Sequence, residues 1–240
     1  MPRVSYMQTA VITPPASQKM TLSDTVMQDW GIDGDNRAFI ERAIIRCSRA
    51  AADYCNRDFG IAKYSVTARL ERGYRDGHLS LGRVDPIMIP YWPITSTVSV
   101  TETDINGVVT TLVEGTDFEV DISTGSYYRL DANQIPRDWY STTTVMIVLW
   151  SGYVFPDQAA GQNGIPAAAP LIPAHLEDAI GRMVATRYFE SRRDPYVKSE
   201  TVEGIGSTNY ITQGSRPTDA GNLSPDVSDI LDNFRAPIVA

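Results

Sequence analysis

The residue types that carry most biological chemistry are scarce in this sequence. Among its 240 residues are 2 cysteines, Cys47 and Cys55, and 2 histidines, His78 and His175. No Cys or His set has metal-ligand spacing, and neither histidine has a serine or cysteine partner recognisable from the sequence. The two cysteines stand more than two turns apart in a helical pattern, about 12 Å along the axis, too far for a disulfide. They read as small buried hydrophobes. Long apolar runs are missing too. The longest, Val145 to Trp150, falls far short of the ~20 residues of a membrane helix. Met1 to Pro15 lacks the charged start and apolar stretch of a secretion signal. The expectation is a chain made in, and staying in, a cytosol-like compartment until it is assembled, with no membrane partner. Basic charge is in deficit: 21 Lys and Arg against 29 Asp and Glu give a net charge of -8 and a pI near 4.8. That balance argues against general nucleic-acid binding, though not against a surface that DNA slides past.

The acidic and glycine-rich strings carry no chemistry either. Asp33-Gly34-Asp35-Asn36 lacks the EF-hand spacing and closing glutamate, and reads as a turn that caps the next helix. Gly204-Ile205-Gly206-Ser207 has no Gly-Lys-Ser/Thr after it and reads as a flexible linker. Nothing selects Glu102 and Asp104 as an acid–base pair, so they read as solvated strand edges. No catalytic residue, metal site or cofactor is expected, and the chain is read as a non-enzyme.

What is present predicts an α+β fold: a helical core from N- and C-terminal helices, an inserted antiparallel β domain, and an extended C-terminal arm. Hydrophobic content of 42% and charged content of 21% are ordinary for a globular chain. Residues 1–20 read as a flexible arm, 21–63 and 165–195 as the helical core, 64–164 as the β insert, and 196–240 as the arm with a short terminal helix. Thr21 to Trp30 reads as a helix capped by Thr21 or Ser23 and ended by Gly31. From Arg37 to about Arg57, Ile40, Ala43, Ile44, Cys47, Ala51 and Tyr54 gather on one face. Pro173 opens a second long helix with the apolar stripe Leu176, Ile180, Met183, Val184 and Tyr188.

Between them the period changes to two. Tyr64 to Leu70 and Thr95 to Thr101 alternate, Asn106-Gly107 and Thr124-Gly125 mark hairpin turns, and Thr142 to Trp150 reads as a strand buried on both faces. Pro86, Pro90 and Pro93 mark an edge or connector.

Two sets of residues are candidates for binding partners. Arg42, Arg46, Arg49 and Arg57 fall within an arc of roughly 80° opposite the apolar face of their helix. They form either a solvated face, with Asp53 pairing Arg49 or Arg57, or a contact for an acidic partner. Val227, Ile230, Leu231 and Phe234 keep the i, i+3, i+4, i+7 spacing of a groove-binding helix, capped by Ser224-Pro225-Asp226. That helix is too short to stand alone, and Ser199 to Asn222 has too little to bury, so 196–240 is expected to order only on binding a neighbour.

Several strings, in this order, carry a resemblance. They are Thr21-Leu-Ser-Asp, the helix from Phe39 that ends in Tyr54-x-x-Arg57-x-Phe59, Ile94-Thr-Ser-Thr-Val-Ser-Val and Asp117-Phe-Glu-Val-Asp. Val148-Leu-Trp-Ser-Gly-Tyr, Ile172-Pro-Ala-His-Leu-Glu-Asp-Ala-Ile and Tyr188-Phe-Glu-Ser-Arg-Arg-Asp follow. Together, over roughly residues 20 to 195, they resemble the head-tail connector (adaptor, or head-completion) proteins of long-tailed bacteriophages and gene transfer agents. The resemblance implies a virion neck protein: a dodecameric ring of this chain below the portal protein. That ring would lead to a stopper or tail-terminator protein and pass genomic DNA through its lumen without specific binding. The runner-up is a tail-completion or baseplate protein with a β module. A sugar-binding or hydrolytic reading would rest on Tyr91, Trp92, Tyr127, Tyr128, Trp139 and Tyr140.

Overall fold

The computed structural model describes residues 2–72, 86–140, 143–192, 199–202, 206–209 and 223–235. The chain divides into two compact units. One comprises Met1–Ala16, Gly60–Val154 and Gln158–Pro170; the other comprises Ser17–Phe59, Phe155–Asp157 and Leu171–Ala240. The first is β and the second mainly helical, so the fold is α+β, with most of the strands lying in sequence between the second and third α-helices and one strand ahead of every helix.

The β unit holds a five-stranded antiparallel sheet in the order β1-β2-β9-β4-β5. Its strands are β1 (Pro2–Thr13), β2 (Ala62–Arg72), β4 (Ile94–Thr103), β5 (Val109–Leu112) and β9 (Thr144–Ser151). A smaller sheet is built from β3 (Ile87–Met88), β6 (Phe118–Asp121) and β7 (Ser126–Leu130), with β8 (Pro136–Arg137) paired to β7. Inward residues of both sheets form one core, including Val66, Val100, Phe118, Tyr127, Ile147 and Trp139. The two predicted hairpin turns are present: Gly107 and Gly125 take φ of 82° and 71°, which their lack of a side chain permits.

In the β unit three expectations need correction. The first residues are not a free arm, because Pro2–Thr13 pairs antiparallel with β2. As an edge strand it buries little: Val4 and Met7 pack on the core while Tyr6, Val11 and Ile12 stay exposed. Its register also shifts between Val4 and Tyr6 and between Val11 and Thr13, which breaks any period of two. Strand β9 is central but buried on one face only. Val145, Ile147 and Leu149 point inward, and Met146 is 41% exposed, because an antiparallel sheet needs only one dry face. Glu102 is no solvated edge residue. It is 7% exposed on β4 and faces Arg129 of β7 across the core, Oε2 to Nε 3.6 Å. Arg129 also reaches the backbone oxygen and carboxylate of Asp117, so a buried charge joins the two sheets.

The helical unit contains α1 (Ser23–Trp30), a 3-10 turn at Gly34–Asn36, α2 (Arg37–Cys55), α3 (Ala174–Ser191) and α4 (Pro225–Asp232). Gly31 in the left-handed conformation ends α1. Neither Thr21 nor Ser23 caps that helix: its N-cap is Leu22, with no side-chain bond. Nor does any side chain of the Asp33–Asn36 turn cap α2. The predicted face of α2 is buried at Ile40, Ala43, Ile44, Cys47 and Ala51, joined by Ser48, Ala52 and Cys55. Helix α3 answers with Leu176, Ile180, Val184 and Tyr188, and with the small residues Ala179, Gly181 and Ala185. In the C-terminal arm, β10 (Ser199–Val202) pairs with β11 (Gly206–Asn209), to which Gly206 and Ser207 of the glycine-rich string belong. His78, Gly204, Ile205 and the stretch 210–222 lie outside the described residues.

Candidate functional site

The helical unit carries both candidate sets, and the structure treats them differently. Helix α4 does not wait for a neighbour. Val227, Leu231 and Phe234 are buried within this chain's own helical unit, and Ile230 is half-buried. The receiver expected in another chain is supplied by α2 and α3, which are brought together from distant parts of the sequence. The Tyr-x-x-Arg-x-Phe string is the main clamp. The Tyr54 hydroxyl donates to Asp232 Oδ1 at 2.8 Å, the Cys55 thiol donates to the Leu231 carbonyl at 3.4 Å, and Phe59 meets Phe234 edge-on at 6.1 Å. Arg57 lies over the Phe59 ring at 5.0 Å. From α3, His175 stacks on Phe234 at 5.1 Å, and Arg182 bridges Asp178 at 2.9 Å and Asp226 at 3.1 Å. The Ser224 hydroxyl and then Arg182 hold the Asp226 carboxyl below its usual range. Burial pushes the Cys55 thiol up to about 11.

The arginine stripe splits into two parts. Arg49 is paired, to Asp53 at 3.0 Å and Asp58 at 3.5 Å, and Arg57 is half-buried over Phe59. Arg42 and Arg46 are exposed. Arg42 Nε donates to the Ala38 carbonyl at 3.1 Å, which leaves the rest of its guanidinium outward. These two, with Phe39, Ala43 and Arg187 of α3, line a groove of about 210 Å³. Arg187 also offsets part of the rise that burial imposes on the Cys47 thiol. The sequence stripe missed Arg187, because only the packing of α2 on α3 sets it beside Arg42 and Arg46.

A second groove, of about 170 Å³, lies between α1 and α3, lined by Thr21, Thr25, Asp29, Trp30, Glu177 and Asp178 among others. The buried Thr21 hydroxyl donates to Glu177 Oε1 at 3.0 Å. Trp30 is 40% exposed. No local pattern announces this groove, since its acids come from helices far apart in the sequence.

Elsewhere, three of the aromatics suggested for sugar binding are taken up by packing. Tyr127 and Trp139 are core residues, with the indole N–H of Trp139 donating to the Tyr127 carbonyl at 3.1 Å, and Tyr91 stacks on Tyr64. Both cysteines are free and buried. Among the described residues no three His, Cys, Asp or Glu side chains come together as a metal set, and no helix is long and apolar enough to cross a membrane.

No family model matches the sequence, and no curated protein matches it. In fold the chain is similar to a chain in the virion of a native gene transfer agent (GTA) particle, at 14% identity and a TM-score of 0.49 over 97% of both chains. It is also similar to a chain in the neck of an empty GTA particle computed with C6 symmetry, at 13% identity and a TM-score of 0.49, again over 97% of both. A chain in the neck of a native GTA particle computed with C12 symmetry follows, at 15% identity and a TM-score of 0.45 over 97% of both.

Proposed function

We propose that this chain is a structural head-tail connector subunit. It forms a ring, dodecameric by the resemblance, that sits below the portal protein and joins the capsid to the neck and tail. The observation that carries the reading is the pairing of α2 and α3. The two helices come from either side of strands β2 to β9 in sequence, carry resembling strings, and pack on each other with small residues among their buried positions. That is the helical core with an inserted β module which the resemblance implies. The net charge of -8 suits a conduit whose cargo must slide past without binding. The partners are then the portal on one side, a stopper or tail-terminator protein on the other, and neighbouring copies around the ring. Electron microscopy of particles carrying a labelled copy of this chain tests the proposal. Label at the neck, in twelvefold arrangement under the portal, is the expected result. Label at the baseplate or tail tip, or three- or sixfold copies there, would overturn it in favour of a tail-completion or baseplate part.

A further inference from the structure

The two grooves of the helical unit are opposite in charge. In the first, Arg42, Arg46 and Arg187 surround Phe39, and among the described residues no carboxylate forms an ion pair with any of the three. In the second, Asp178 is already matched by Arg182, but Glu177 has only the Thr21 hydroxyl and Asp29 has no cation beside it among the described residues. Trp30 lies at this groove with its indole nitrogen close to Gly181, where a Cβ would stand 3.8 Å away. Exposed indole beside carboxylates is the environment that takes a guanidinium, which can stack on the ring and bond the acids together. On α3, Glu177 and Asp178 lie about 80° and 180° from Arg187 around the axis and about 15 and 14 Å from it along the axis, so the two grooves do not share one face.

A surface and its complement on different sides of one chain make a heterologous contact, which repeats from copy to copy and closes into a ring when the rotation allows. We infer that Arg42 and Arg46 of one copy enter the acidic groove of the next, against Trp30, Asp29 and Glu177. The occupant is a second copy of this chain because the chain itself presents the complementary charge. This inference rests on the ring proposed above and names the contact that builds it.

Sedimentation velocity of the full chain over a range of concentrations, at low and high salt, tests it with two variants. One is Arg42→Glu/Arg46→Glu. The other is Asp29→Arg/Glu177→Gln, in which the amide still accepts the Thr21 bond. The wild type should form species larger than a dimer that dissociate with salt. Each variant alone should associate at least about tenfold more weakly, since like charges then meet. An equimolar mixture should recover, because each variant's altered face then meets its complement. Variants that associate as the wild type does, or folded variants whose mixture fails to recover, overturn the contact and leave the ring reading intact. A wild type no larger than a dimer overturns the head-to-tail geometry. A wild type that stays monomeric at every concentration overturns the ring reading itself. If a double variant fails to fold by circular dichroism, Trp30→Ala replaces it: lost association is expected, and retained association sinks the inference.

Discussion

Leu231→Ala should release α4 without unfolding the rest of the helical unit. Leu231 is completely buried, and its carbonyl receives the Cys55 thiol. Truncating a buried leucine costs about 2–5 kcal/mol, depending on how far the site can collapse. Helix α4 has eight residues and two further fully or nearly buried anchors, Val227 and Phe234, so little else resists its opening. A loss near about 3 kcal/mol raises the open population by roughly a hundredfold. The chain has its own reporter of that opening. Cys55 lies beneath α4, whereas Cys47 is buried on the α2 face that meets α3. Labelling with a thiol reagent, followed by mass spectrometry of the peptides, should show Cys55 reacting roughly a hundredfold faster in the variant while Cys47 stays protected. Hydrogen exchange of the α4 amides should rise in parallel, and exchange in β9 should not. If Cys47 and Cys55 become reactive together, at the rate of global unfolding, α4 is not a separable unit and the reasoning fails.

Other outcomes follow from single contacts. Arg129→Met leaves Glu102 buried without its cation and should cost the β unit about 3–5 kcal/mol in urea unfolding, whereas adding Glu102→Leu to the same chain should recover most of it. Gly152→Ala places a Cβ 2.5 Å from the Gly60 carbonyl at a φ of +112°, and a loss of at least about 2 kcal/mol by calorimetry is expected. The docking of α4 should weaken in acid. A depressed Asp226 contributes stability above the unfolded value near about 4, and loses it as pH falls through the native value. Hydrogen exchange at stepped pH would show α4 loosening first. In alkali the raised thiol of Cys55 works the other way: its contribution is whole below 9.0 and lost as pH rises towards about 11. Cys55→Ser should therefore flatten the alkaline limb of a pH–stability profile.

The parts of the fold that follow local periods were legible in the sequence. The buried face of α2, the stripe of α3 and the Asn106-Gly107 turn each depend on residues within a few positions of one another, and each formed where its spacing placed it. What was not legible depends on partners far along the chain. Strand β1 is held by β2, some sixty residues on, and its own alternation is interrupted by register shifts. Glu102 looked solvated because its cation, Arg129, stands on a strand of the other sheet. The apolar set of α4 was read as a groove-binding pattern for a partner chain, but spacing cannot say whose groove. Here Tyr54, Phe59 and His175 provide it within the same chain. The arginine stripe was visible in part, while its third member and the opposing acidic groove needed the packed helices to be seen.

The division of the helical unit between two distant stretches of sequence has a consequence in time. During synthesis the end of α2, at Cys55, precedes the end of α3, at Ser191, by roughly 7 to 27 s at about 5–20 residues per second. Throughout that interval the face formed by Ile40, Ala43, Ile44 and Cys47 has been made and its cover has not. The β strands from β2 to β9, by contrast, are all on hand, with β1 made before them, by the time Ser151 emerges. Each new chain therefore passes through a stage with a finished sheet and a half-built helical layer, a sticky surface in a crowded cell. A growing chain at that stage is a natural client for a chaperone.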